Sequence, residues 1–423
     1  MTTGGFRLAK FSIGVGDRFG HQAKAQLEAC VGASQAGVDV IPVWNKSNRE
    51  HTIIGSEPSS TRAAADTAVK ALEWTKPYYC DADHINLQTV ERFLVPCDFY
   101  TIDVADFIAQ KADQSSIDAF AQRHIELVGE IKFKGVEESF EITPALLTQV
   151  ANKFLFAVQQ AGAVYRKIEL AKGKDNFISE LSMDETDLAQ TPLELLIILA
   201  AIADEGIPVQ TIAPKFSGRF DKGVDYVGNI PNFAREIEFD LAAIAYAVRQ
   251  YGLPANPKLS VHSGSDKFSI YPAIHSALKK FNAGVHLKTA GTTWLEEITG
   301  LAEARQEGLT LAKEIYTEAY AQRDDLCRPY AKVIDIDTHK LPAPAEVRQW
   351  SSEEFTSALR HDPHSRSYNR SFRQLLHVGF KVAAKMGSRY LELLEANEEV
   401  IAKNVTDNLY TRHIAPLFLG SAK

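Results

Sequence analysis

The sequence predicts an α/β fold, a (β/α)8 TIM-type barrel with a helical insertion and a helical C-terminal extension. Three observations lead there. Eight short strand-like runs recur up to Gly291, helical periodicity fills the gaps between them, and polar residues with chemical potential gather where the runs stop. An alternating series of this kind builds a parallel sheet, and eight repeats close it into a barrel whose site lies at the C-terminal strand ends.

The runs are residues 11–16, 38–44, 77–80, 99–104, 177–182, 209–213, 258–262 and 285–288. Helical patterns cover residues 22–36, 63–75, 192–205, 233–251 and 271–281. The interval 107–176 is long for one barrel unit and reads as a mostly helical insertion, dividing the barrel into 1–106 and 177–291. Residues 292–423 read as a helical extension interrupted by a polar, proline-bearing stretch from Asp335 to Tyr368.

Composition narrows the class. The chain has 423 residues, 45% of them hydrophobic, enough for a large core without covalent staples. Its four cysteines, Cys30, Cys80, Cys97 and Cys327, form no CxxC pair, which fits a reducing cytoplasm better than a disulfide framework or a zinc ribbon. The start, Met1 to Arg7, lacks a basic segment followed by an apolar one, so no leader is expected. The longest apolar run, Leu193 to Ala203, is too short to cross a membrane and reads as a buried helix. A net charge of -8 with mixed signs excludes a basic nucleic-acid or anionic-membrane surface. The expected partner is a small molecule; the oligomeric state is open.

Two stretches carry most of the chemistry: Tyr79-Cys80-Asp81-Ala82-Asp83-His84 and Leu259-Ser260-Val261-His262-Ser263-Gly264-Ser265. Strand ends of a barrel open on one face, so Asp83, His84 and His262 read as one site. Neutral imidazoles bind zinc and similar ions, while a neighbouring carboxylate that stays off the metal can move a proton. One strand-end histidine alone is more often structural. Two such ends, one with an acid beside it, favour function.

Other strand ends supply further candidates. Alternation in the fifth run puts Glu180, Ser182 and Asp184 on one face, with Glu180 a second acid/base or a metal ligand. Lys215 and Lys288 follow the sixth run and end the eighth; each can fix a substrate carboxylate, stabilise an enolate or neutralise acidic neighbours. His286 is the natural third imidazole or a support for the other two. After the first run, Asp17, Arg18 and His21 face the mouth, where Arg18 can pair with a substrate carboxylate or with Asp17. The turn Gly14-Val15-Gly16-Asp17-Arg18-Phe19-Gly20 lacks GxGxxG spacing, so no nicotinamide cofactor is expected. Asn45 to His51 reads as a polar loop. The tail histidines His361, His364 and His377, among Arg360, Arg366, Arg370 and Arg373, read as a solvated face or a lid.

The segments Phe11 to Leu27 and Pro42 to His51, with these strand ends, resemble the tagaturonate epimerase family, whose members interconvert tagaturonate and fructuronate. The resemblance spans most of the chain. Asp81-Ala82-Asp83-His84 and Ser260-Val261-His262-Ser263-Gly264-Ser265 also resemble two motifs of zinc-dependent class II aldolases, in which the His binds metal and the Asp transfers a proton. Ile85 and Ser263 depart from that pattern, and the third aldolase ligand has no clear match, leaving His286 or Glu180.

Together the resemblances imply an isomerase with a divalent cation (Zn, Mn, Co or Ni) on His84, His262 and His286. The stereocentre separating the two keto-uronates lies one carbon beyond the carbon next to the ketone, so enolisation alone cannot invert it. Retro-aldol cleavage and re-addition can, with Asp83 or Glu180 as acid/base and Arg18, Lys215 or Lys288 retaining the carboxylate fragment. The alternatives are an aldolase that releases its fragments and a sugar-binding protein without turnover.

Overall fold

The computed structural model describes residues 6–186, 188–289, 291–304 and 306–420. Met1 to Gly5, on which the reading of the chain start partly rests, lie outside them. Among the described residues are ten strands, β1 (Phe11–Gly16), β2 (Ile41–Ser47), β3 (Tyr79–Ile85), β4 (Phe99–Asp103), β5 (Gly129–Lys132), β6 (Ser139–Ile142), β7 (Ile178–Ser182), β8 (Thr211–Ala213), β9 (Lys258–His262) and β10 (Val285–Lys288). Eight of these close a parallel barrel in the order β1-β10-β9-β8-β7-β4-β3-β2, so the expected (β/α)8 architecture holds.

Register decides which side chains share a level. Thr101 pairs with Glu180 and Glu180 with Thr211, while Lys288 pairs with Gly14 on one side and His262 on the other. Below them Leu8, Ile41, Val43, Tyr79, Phe99 and Ile178 form a separate apolar cluster that plugs the N-terminal end. Apolar packing below and polar side chains above give the barrel one chemical end.

Two strands run further than the sequence reading placed them. β2 continues through Asn45, Lys46 and Ser47, and β3 through Asp81, Asp83 and His84 to Ile85. Polar residues break the apolar run at Trp44 and Cys80, yet inward positions near a barrel mouth are polar, so the strand alternation goes on. The expected polar loop from Asn45 to His51 is therefore a strand end followed at once by the helix Asn48–Ile54. A reciprocal capping box between Ser47 and Glu50 starts that helix.

Prolines at the first helical position and Ser, Thr or Asn caps start several outer helices, as at Thr143-Pro144 and Thr191-Pro192. In Pro192–Asp204 every residue from Leu195 to Ile202 is buried, each Leu and Ile contributing about 1.5–3 kcal/mol of transfer free energy. Segment 107–176 contains the helix Gln114–Arg123, the β5–β6 hairpin and the 29-residue helix Pro144–Lys172, which packs against both Pro192–Asp204 and β4.

The C-terminal residues return to the barrel. The wide-turned helix Asn408–Leu419 packs between Ala23–Gln35 and Tyr271–Phe281, completing the ring of outer helices. A buried ionic cluster clamps the rest of the extension to the loop after β9. Asp266 accepts from Arg373 Nη2 at 2.6 Å and His361 Nδ1 at 3.0 Å, and lies 3.3 Å from His413 Nε2. Arg373 also donates to the carbonyls of Gly223 and Leu359. His361, Arg373 and His377 are thus buried in a seam, not on a solvated face, whereas His364 and Arg366 are exposed. No described helix is long and apolar enough to cross a membrane.

Candidate active site

The β3 strand delivers its side chains unusually. Its pairing with β4 shifts register between Ala82 and Ile85, and His84 takes a φ of 51°. Such a bulge re-aims a side chain, and left-handed backbone in a non-glycine residue costs on the order of 1–3 kcal/mol unless its surroundings hold it. Asp103, at the end of β4, holds it: its Oδ2 accepts from His84 Nδ1 at 2.8 Å.

Opposite stands His262, its ring 5.4 Å from that of His84 and nearly perpendicular to it. His262 Nε2 donates to Glu180 Oε1 at 2.9 Å. Its Nδ1 is buried and lies 3.2 Å from Asp184 Oδ2, an ion-pair distance without the alignment of a hydrogen bond. Ser182 Oγ donates to Asp184 Oδ1 at 2.6 Å and steadies that carboxylate. His84, Asp184 and His262 each place one donor atom within 4.8 Å of the others, making a possible metal site open to solvent on one side.

Beside this trio Lys288 gathers acids. Its ammonium lies 2.8 Å from Asp81 Oδ2, 2.9 Å from Asp83 Oδ1 and 3.1 Å from Glu180 Oε1, and donates to Thr101 Oγ1 at 2.5 Å. Three buried carboxylates around one cation cannot all ionise freely. Burial pushes Asp81 up to about 7, against the pull of Lys288 and with the help of Asp83 and Glu180. Burial also acts to raise Asp83, but Lys288, His84 and His262 outweigh it and bring that carboxyl down to about 2. Glu180 is held well below the usual range: burial opposes ionisation, but Lys288 and His262 prevail. It is fully enclosed, accepting also from Thr101 and from Thr211 at 2.7 Å. Burial disfavours charge on both histidines as well, yet the carboxylates win. His262 rises to about 9, chiefly through Asp184, and His84 rises through Asp83 and Asp103.

His286 stands apart from the trio. Its Nδ1 shares a hydrogen bond with Ser12 Oγ at 2.9 Å, its ring lies 5.2 Å from Phe99, and burial, with Lys288 adding, lowers it to about 3. A Cβ on Gly14 would sit 2.8 Å from Lys288 Cγ and 3.3 Å from His286 Nε2. Close approach thus explains this glycine without a dinucleotide.

The first loop is braced rather than free. Asp17 accepts from the backbone N–H of Gly20 and Gln22, both at 2.7 Å, so it does not pair with Arg18. Arg18 instead donates to Glu50 at 3.1 Å and stacks 4.2 Å from the ring of Phe380 in the extension. His21 and Lys215 are half-buried near the mouth, with the Lys215 backbone pinned by Gln190. Asp81, Thr101 and Asp103 went unassigned in the sequence. The first lies two residues before Asp83, and the others alternate along β4, so strand periodicity was the available signal.

The sequence profile of the tagaturonate epimerase family matches residues 4–417. The chain belongs to that family. As a member it is an isomerase, an epimerase of carbohydrate metabolism. It is similar to the tagaturonate/fructuronate epimerase of Thermotoga maritima, 27% identical over 420 residues that cover 95% of this chain and 80% of that protein. Its fold is similar to the native crystal structure of fructuronate-tagaturonate epimerase from Cohnella laeviribosi, with a TM-score of 0.79 and 23% identity over 98% of this chain and 82% of that one. The same enzyme with two glycerols gives a TM-score of 0.80 at 23% identity, covering 98% and 83%.

Proposed function

We propose that this epimerase interconverts D-tagaturonate and D-fructuronate by breaking and remaking one carbon-carbon bond, at a site built from His84, Asp184 and His262 and the acids around Lys288. The observation that carries the reading is their convergence at one barrel mouth in a member of this family.

The donor set suits a divalent cation. His262 Nδ1 is buried and faces Asp184 at 3.2 Å without a hydrogen bond, and His84 Nδ1 is engaged by Asp103 and leaves Nε2 to bind. Two imidazoles and a carboxylate fit Zn, Mn, Co or Ni. A cation there would supply Lewis acidity at the ketone oxygen. His286, one level down and bonded to Ser12, is a support rather than the third ligand in this reading.

The chain's own groups then follow in order. Counting from the ketone at C2, Asp83 takes the proton of the C4 hydroxyl; Lys288 keeps it ionised and in place. The C3–C4 electron pair moves towards C2, giving an enediolate and an aldehyde that bears the carboxylate. The aldehyde turns, C3 attacks its other face, and Asp83 returns the proton. Asp81, pushed up by burial, shares the Lys288 ammonium with Asp83. Glu180 is fully enclosed and orients His262 rather than meeting substrate. Arg18 serves the carboxylate; His21 and Lys215 flank the mouth, and Asp17 shapes the loop. Four free cysteines agree with a cytoplasmic setting.

A time course by NMR on metal-reconstituted enzyme, beside an EDTA-treated control, tests the reaction. Fructuronate should appear from tagaturonate only with metal. No conversion in either sample would sink the proposal, and separated three-carbon products would make the protein an aldolase. Asp103→Asn should weaken metal binding about 10–100-fold, as loss of an outer partner of a ligating histidine does. Chelator competition measures it, and wild-type affinity would remove Asp103 from that role.

A further inference from the structure

The loops after β8, β9 and β10 meet the helix Arg370–Val378, and Arg18 of the loop after β1 stacks on Phe380 just beyond it, over a set of polar groups that the chain itself leaves unsatisfied. His377 is 2% exposed, and neither ring nitrogen has a partner. Arg18 Nη1 is also buried and unpartnered, although Nε is fixed by Glu50 and the guanidinium is seated on Phe380. His377 reaches to Gly291, where a Cβ would collide with its Nε2 and come within 2.7 Å of the Gly264 carbonyl. A Cβ on Gly264 would in turn lie 3.6 Å from Lys222 Nζ. Buried polar groups in folded proteins are almost always bonded, so this cluster calls for a guest.

The surrounding charges suit an anion. Burial holds His377 well below the usual histidine range, and Arg18, Lys222, Arg373 and Lys267 add to that effect, which leaves a neutral ring in a positive field. Arg373 is already paired with Asp266, and Lys267 is spent on the carbonyls of Asp221, Val224 and Asp266. Arg18, Lys222 and an imidazole N–H remain. (β/α)8 barrels frequently bind anionic groups at the loops after the seventh and eighth strands, and Gly264 and Gly291 are in those loops here. Gly264 is two residues past His262 and Gly291 three past Lys288, at most about 8 and 11 Å along the chain. Both glycines therefore lie on the rim that also carries His262 and Lys288.

We propose that His377, supplied by the C-terminal extension, joins Arg18 and Lys222 to bind the terminal carboxylate of the substrate and hold it while the aldehyde fragment turns. This rests on the reaction proposed above. A fixed carboxylate lets the aldehyde rotate about its own carbon-carbon bond without leaving, which separates an epimerase from an aldolase. It also makes the extension part of the site rather than only its support.

The test compares binding of tagaturonate and tagatose, which differ only in carboxylate against hydroxymethyl, to the metal-loaded enzyme by calorimetry. His377→Ala should weaken tagaturonate roughly ten- to hundredfold and leave tagatose unchanged, the expected cost of one hydrogen bond to a charged group. His377→Gln, which keeps a donor, should recover part of the loss and decides the matter if the alanine variant does not fold. Equal losses on both sugars, or none on tagaturonate, would overturn the proposal. So would tagatose 6-phosphate binding more tightly than tagaturonate through His377, which would give the pocket to a phosphate. Binding of tagaturonate that depends on His377 but leads to no turnover would refute the reaction and leave the pocket standing.

Discussion

His262→Ala is expected to lose bound metal and turnover together, with kcat falling about a thousandfold, the effect of removing several kcal/mol of electrostatic stabilisation from a transition state. His84→Ala should behave alike. Each ring has one nitrogen occupied by a carboxylate, Glu180 for His262 and Asp103 for His84, and the other left towards Asp184 and Asp83. That arrangement fixes the tautomer and aims the free nitrogen. The His84 side chain is partly buried and that of His262 nearly wholly, so the cavity left by alanine should do least harm at His84. The metal-to-protein ratio after dialysis and kcat on tagaturonate are the two readings. Full metal with full turnover in either variant would mean that the trio is not the cation site.

The sequence made the barrel legible because its rhythm is strong: eight runs at strand length, helices between them, and chemistry at the ends. It made Asp83, His84 and His262 legible for the same reason, since His262 closes a run and the other two lie just past one. Glu180 and Asp184 followed from alternation, although nothing in the sequence told an orienting carboxylate from a ligating one. That distinction depends on enclosure, and Glu180 is sealed by Thr101, Thr211, His262 and Lys288 while Asp184 is open. For Lys288 the sequence leaves a substrate contact, an enolate stabiliser and a neutraliser of acids side by side; the three buried acids that surround it come from β3 and β7, far away in the chain. His377 was read within a charged run as a solvated face or a lid. The same arginines that made the run look exposed are partnered by acids on other elements, Arg373 by Asp266 and Arg370 by Asp221, and local composition carries no sign of that.

The pairing of Arg373 with Asp266 yields the largest expected effect on stability. Asp266→Asn keeps the shape of the side chain but strands the Arg373 guanidinium, which is fully buried, and should destabilise the fold by about 3–5 kcal/mol. The urea midpoint reads this, and a midpoint equal to wild type would show that the clamp carries no net stability. Adding Arg373→Met should restore only part, because Arg373 also donates to the carbonyls of Gly223 and Leu359, which methionine would leave bare. The same cluster sets the acid limit. Burial holds His361 and His413 below the ordinary 6.5, so the unfolded chain binds their protons first and stability declines as pH falls below that value. Burial acts to raise Asp266, but Arg373 and the two histidines hold it well below 3.8; its contribution is whole above that pH and is lost on further acidification through the folded value. Wild type should therefore lose stability in two stages on the acid side, and Asp266→Asn should lack the second. Because Asp266 lies four residues beyond His262 and grips the helix that carries His377, loss of the clamp should loosen the mouth before the barrel unfolds, with activity failing at lower urea than the barrel's own transition.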